Sequence, residues 1–171
     1  MIVQLGKRSI DGDVDVLLSE CHLRIRRFLA LAVRITAQRT SALDVQEAGG
    51  QVRRYFAEAF PLHLADEDEL LMPVLMGRES TLDRAIERMH RDHAEHEPHV
   101  AHLVELCAAL ERDPGGLAAL VEDLAVTTKL LREVLEPHLL LEEREIFPAI
   151  RLLSDDERGQ IRAAMRARRA S

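Results

Sequence analysis

Two segments of the 171-residue chain carry the same groups at the same spacing. His63-Leu64-Ala65-Asp66-Glu67-Asp68-Glu69-Leu70-Leu71-Met72-Pro73 aligns with His138-Leu139-Leu140-Leu141-Glu142-Glu143-Arg144-Glu145-Ile146-Phe147-Pro148 at an offset of 75. Each reads histidine, three residues, glutamate, an acidic residue and, further on, two apolar residues and proline. A histidine and a glutamate four apart sit one helical turn apart on one face, aimed the same way. Glu67 continues an apolar stripe of Phe56, Phe60, His63 and Val74, and Phe56 and Phe60 pair with Leu131 and Leu135 in the second copy. A carboxylate aimed into an apolar core costs several kcal/mol, on the order of the buried-charge penalties, unless something compensates it. No arginine falls on these stripes. A pair of divalent cations would compensate two such carboxylates.

The remaining histidines can be placed by level. His93 and His138 are equally far from the Gly115–Gly116 bond, His63 and His93 from Arg78, and His22 and His63 from the Ala42–Leu43 bond. If the chain folds back at those points, four helices each place one histidine at one height. His22 lies on a stripe with Leu18, Ile25 and Leu29, and His93 on one with Ile86, Val100 and Cys107. The expected metal site is therefore His22, His63, Glu67, His93, His138 and Glu142. His90, His93, His96, His99 and His102 recur every third residue, and each such step turns the direction by about 60°. They cannot share a face, so His96, His99 and His102 are expected to meet solvent. His90, beside the core face, and Tyr55, eight residues before His63, stand as further candidate ligands.

The elements that must position these groups are helical. Apolar residues recur at helical spacing, and no stretch alternates with period two. The pattern predicts a helix from about Asp13 to Ala37, a turn at Thr40-Ser41-Ala42, and a second helix to about Leu75, loosened at Gly49-Gly50 and kinked at Pro61. A third helix runs from a Ser80/Asp83 cap to about Arg112, interrupted at Pro98 if anywhere. Asp113-Pro114-Gly115-Gly116 is the strongest stop, and a fourth helix follows from Leu117 to Leu153. Ser154 with Glu157 makes a capping box for a short fifth helix, whose arginine-rich end from Arg162 to Arg169 reads as solvated. Short connections favour an all-α, up-down-up-down antiparallel four-helix bundle over residues 13–153, with residues 154–171 as a short C-terminal helix.

Composition removes other classes. Thirty acidic against 23 basic residues leave a net charge of −7, which repels phosphate backbones and speaks against nucleic acid. Aromatics are only 3%, poor for a sandwich or barrel. The longest apolar run, Phe28 to Val33, is too short to span a membrane, and MIVQLGKRSI contains no secretory signal. Cys21 and Cys107 lie on levels about 20 Å apart, too far for a disulfide, and fit a cytoplasmic chain with free thiols. There is no H-E-x-x-H, C-x-x-C, phosphate loop or nucleophile elbow. Only Glu87-Arg88-Met89-His90 matches the E-x-x-H of carboxylate-rich di-iron bundles, which need two such segments.

The chain resembles the haemerythrin-like, or HHE cation-binding, family. The likeness rests on ECHLRIRRFL, on the two H-x-x-x-E segments followed by LLMP and IFP, on MHRDH in the third helix, and on the terminal SDDERGQIRAAM. It covers roughly residues 13 to 153. The resemblance implies a non-haem centre of two iron ions with an oxo or hydroxo bridge, bridged also by Glu67 and Glu142. Zinc is an alternative occupant in a purified sample, because affinity alone does not select iron. In haemerythrins proper the third helix supplies two histidines four apart, and the fourth places its carboxylate five residues after its histidine. Here Met89 stands four before His93, and the five-residue spacing falls on Glu143, which therefore competes with Glu142. A missing histidine ligand leaves about two positions open on a pair of six-coordinate irons, and counts against reversible oxygen carriage. The implied function is binding of O2, NO or peroxide-type ligands for sensing, storage or redox protection. The alternatives are a peroxide-consuming or ferroxidase-like enzyme, or an iron reservoir or repair protein. A stand-alone sensor would pass its signal to a protein partner that no sequence feature identifies.

Overall fold

The computed structural model describes residues 12–36 and 41–170, and these are helical apart from short connections, with no strand among them. The expected end of the first helix at Ala37, the turn residue Thr40 and the first ten residues lie outside the described residues. Helix α1 is Val14–Thr36. Helix α2 spans 42–75, α3 is Ser80–Arg112, α4 spans 117–150 and α5 is Asp155–Ala170. Helix α1 packs on α2 and α4, and α3 packs on the same two, so the four close into a bundle. No helix of the described residues is long and apolar enough to cross a membrane.

Helices α2 and α4 are not regular throughout. Each contains wide π turns, at Tyr55–Ala59 and Glu67–Leu71 in α2 and at Glu142–Ile146 in α4. All three end two residues before a proline: Pro61, Pro73 and Pro148. Proline lacks an N–H and its ring collides with the carbonyl four residues back. Widening the preceding turn, so that Phe60, Met72 and Phe147 bond five residues back to Tyr55, Glu67 and Glu142, moves the chain out of that register. The kink expected at Pro61 is therefore a widened turn. The extra residue also rotates the rest of the helix, so the inward stripe after Glu67 passes through buried Leu71 and Leu75 while Val74 is half-buried.

Other local expectations need correction. Gly49 and Gly50 do not loosen α2, which runs regularly through both. They permit close packing on α3: a Cβ at Gly50 would stand 2.8 Å from Glu111 Oε1, and one at Gly49 3.3 Å from the Cys107 carbonyl. Pro98 does not interrupt α3. That helix is capped by Glu79, which accepts from the Thr81 N–H, whereas Asp83 accepts from Gly77 in the preceding turn. Gly77 has φ +81°, a conformation that suits glycine. The capping box before α5 forms as expected: Glu157 accepts from the Ser154 N–H at 2.8 Å, and Ser154 Oγ accepts from the Glu157 N–H at 3.3 Å.

The core is split in two. One apolar cluster contains Ile25, Leu29, Phe56, Phe60, Leu103, Leu131 and Leu135. The other contains Leu18, Leu71, Leu75, Ile86, Met89, Ile146 and Phe147, and receives Ile161 and Met165 from α5. Each fully buried side chain of this kind contributes about 2 kcal/mol, so the clusters can offset the desolvation of a polar layer between them. That layer lies at the level of His22, His63, His93 and His138. The end of α5 is not a solvated tail: Arg168 donates to Asp66 at 2.9 Å, and Arg169 donates to the same carboxylate, which is buried on α2.

Candidate metal centre

The helical stripes carry His22, His63, Glu67, His93, His138 and Glu142 inward, and all six are buried. They meet as two groups of four that share both glutamates. His22 and His63 form one group with Glu67 and Glu142, and His93 and His138 form the other with the same two carboxylates. Each glutamate turns one oxygen to each group. Glu142 Oε2 lies 2.9 Å from His22 Nε2 and its Oε1 lies 2.8 Å from His138 Nε2. Glu67 Oε1 lies 3.3 Å from His63 Nε2 and its Oε2 3.3 Å from His93 Nε2. The rings stand edge to face within each group, with centroids 5.3 Å apart for His22 and His63 and 5.0 Å for His93 and His138.

The outer nitrogens of three of these rings are held by carboxylates. His22 Nδ1 lies 2.9 Å from Glu143 Oε1, His93 Nδ1 3.1 Å from Asp68 Oδ1, and His138 Nδ1 3.3 Å from Asp92 Oδ2. An ionised carboxylate only accepts, so Nδ1 carries the proton and Nε2 is the nitrogen turned to the core. This explains the acidic residue that comes after the glutamate in both copies. Glu67 and Glu142 point in, whereas Asp68 and Glu143 reach a histidine on the neighbouring helix. The repeat carried that signal, although the sequence alone did not assign it.

The further candidates fall outside the two groups. Glu143 backs His22 and is held by Arg26 at 2.7 Å. Tyr55 stacks on Phe28 and its hydroxyl donates to the Cys21 carbonyl at 3.4 Å. His90 is exposed and meets Asp68 at 3.1 Å. His96, expected to face solvent, is buried and stands edge-on to His138 with centroids 4.8 Å apart. His102 does face solvent and pairs with Asp123 at 3.1 Å. Cys21 and Cys107 are free and buried.

The electrostatics of the six residues without a cation are lopsided. Burial and the charge of Glu142 push the Glu67 carboxyl up to about 7. Burial also opposes ionisation of Glu142, but His138, His22 and His93 hold it well below the usual carboxylate range. Burial disfavours a charged ring at His93, yet Glu142 and Glu67 raise it to about 10; His22 and His138 are raised for the same reasons. His63 is lowered well below the ordinary value by burial and by His22. Burial and the neighbouring His138 lower His96 to about 4.

These groups fit metal ions by a test independent of any relative. Both oxygens of Glu67 and of Glu142, and Nε2 of His22, His63 and His93, are buried without a hydrogen-bond partner among the described residues. The short approaches between them lack the direction of a hydrogen bond. Orphaned buried acceptors are costly, and so many converging on one layer call for a cation. Nitrogen and carboxylate oxygen together suit a divalent transition ion, not the all-oxygen shells of calcium or magnesium.

A comparison with curated proteins found no match. The family model for the Hemerythrin HHE cation binding domain matches residues 13–150, which include all six core histidines and glutamates. The chain is therefore a member of the hemerythrin HHE cation-binding domain family.

Proposed function

We propose that the chain holds two iron ions in its core and binds a small ligand such as O2, NO or peroxide there, for sensing, storage or redox protection. His22 and His63 would hold one ion and His93 and His138 the other, with Glu67 and Glu142 bridging. The observation that carries this reading is the pair of four-residue groups sharing two carboxylates whose buried oxygens lack other partners. Bound iron would supply redox chemistry and open coordination positions. The residues around it orient and exclude. Glu143, Asp68 and Asp92 aim the three rings they back, which supports tight binding. Phe147, 5.0 Å from the His22 ring, and the two apolar clusters keep bulk water from the layer. Met89 is buried in apolar company one turn from His93, where haemerythrins proper carry a further histidine. A groove of about 850 Å³ between α1 and α4, lined by Leu29, Leu135 and Leu139 together with Lys129, Arg132, Glu133 and Glu136, reaches Arg26, one turn from His22.

The test is anaerobic loading of the full chain with Fe(II), followed by metal analysis and absorption spectra before and after air and peroxide. About two irons per chain and a lasting spectral change on exposure to air are expected. Iron content near zero overturns the reading, and rapid catalytic loss of peroxide replaces binding with an enzymatic role.

A further inference from the structure

A third cluster of ligand atoms lies outside the buried pair. Atoms of Asp68, His90 and His93 fall within 4.8 Å of one another. Asp68 Oδ1 is 3.1 Å from His90 Nδ1 and 3.1 Å from His93 Nδ1. On its other side, His93 Nε2 faces Glu67 Oε2 at 3.3 Å. Exposure falls steadily along this line: the side chains of His90, Asp68 and His93 are 58%, 26% and 6% accessible. Donors suited to a transition ion thus run from solvent to the buried layer without a gap.

The other two backing carboxylates differ. Glu143 is shared between His22 and the guanidinium of Arg26, which repels an arriving cation. Asp92, behind His138, has Arg88 at 3.8 Å. The contacts to Asp68 come from two imidazoles, His90 and His93, a side chain that suits divalent transition ions.

We infer that Asp68, His90 and His93 form an outward-facing site that first takes up a divalent transition-metal cation and passes it through His93 to the buried pair. The inference rests on the reading that the buried residues hold metal ions. Sharing His93 gives the transfer a direction. A ring committed to an inner ion through Nε2 is held by Asp68 on its other side, which leaves the outer site two protein ligands, Asp68 and His90, and weaker affinity. His90 would then serve loading and not the final complex.

The experiment measures the rate of Co(II) uptake by metal-free full-length protein in stopped flow, and the final cobalt content by elemental analysis. Wild type, His90→Ala and His102→Ala are compared, with circular dichroism confirming the fold of each. Loss of one supporting group should slow uptake by His90→Ala by about tenfold. Final content should equal that of wild type, and His102→Ala, at another surface histidine, should load at the wild-type rate. Equal rates for wild type and His90→Ala overturn the inference. So does an equal slowing in His102→Ala, or a lower final content in His90→Ala, which would make His90 a permanent ligand. If wild type itself takes up no cobalt, the buried-pair reading has failed, and that result comes from the wild-type arm alone.

Discussion

The two copies of the His-x-x-x-Glu segment fold alike and are wired differently. In both, the glutamate opens a π turn, the next residue backs a histidine on a neighbouring helix, and a proline comes after the turn. The copies part at the residue before the glutamate. Asp66 is buried and clamped to the end of α5 by Arg168 and Arg169, whereas Leu141 in the same position joins the apolar cluster beneath the site. They part again at the histidine: His138 Nδ1 faces Asp92, while His63 Nδ1 has no hydrogen-bond partner among the described residues. The two glutamates also differ electrostatically, because three histidines surround one and burial beside its partner's charge governs the other. Glu142, among three histidines, stays ionised, and Glu67 holds a proton to near neutrality. One local device can thus be built twice while its surroundings decide which copy carries charge.

Removing the glutamates is the strongest way to break this comparison. Glu142→Ala should abolish retention of both ions, since the carboxylate that three histidines surround is lost. Glu67→Ala should leave one ion or none. The metal-free Glu67→Ala protein should be no less stable than wild type, because a carboxylate that burial keeps protonated has gone. Metal analysis and thermal melting of both variants check this, and full metal content in both would remove the glutamates from the site.

A smaller effect is expected at the clamp, which only the first copy possesses. Replacing Arg168 and Arg169 together with Ala leaves Asp66 buried without them, and should destabilise the chain by about 3 kcal/mol in urea denaturation. Leu141→Met, at the matching position, should cost less than about 1.5 kcal/mol, as volume-conserving apolar exchanges do. Equal losses in the two proteins would mean that the clamp adds nothing.

The smallest effect is a change with pH that metal should reverse. The folded values of His22, His93 and His138 lie above their ordinary 6.5, so their contribution to the metal-free fold is full below that value. It is lost as pH rises through the folded values, which for His93 means toward about 10. Glu67 acts in the same sense, full below its ordinary 4.5 and lost through about 7. Glu142 acts oppositely, its contribution present above 4.5 and lost only as pH falls through its depressed folded value. Metal-free protein should therefore melt at a lower temperature at pH 9 than at pH 6. Bound ions replace those protons, so the holo protein should not show that loss, and metal affinity should fall as pH drops below about 7. Parallel melting curves with and without metal at both pH values would contradict this.

Much of the centre is written locally. Helical rise and period are constants of the backbone, so stripe and level could be read by counting: His22, His63, His93 and His138 share a height, and Glu67 and Glu142 face inward with them. The Ser154–Glu157 cap and the Asp113–Gly116 stop are equally local, because their bonds join residues a few positions apart. What counting could not supply depends on the neighbour. Whether His96 meets water or the edge of His138 is set by how closely α3 and α4 pack, and an every-third-residue pattern carries no such distance. The acids after the two glutamates were visible, but the histidine each one backs belongs to another helix. The arginines of α5 looked like a solvated end because their partner, Asp66, lies about a hundred residues earlier in the chain. The sequence by itself therefore determined the helices, their stripes and the inward histidines and glutamates. Tertiary packing alone decided which carboxylate supports which ring and which copy of the repeat stays charged, because those are distances between helices.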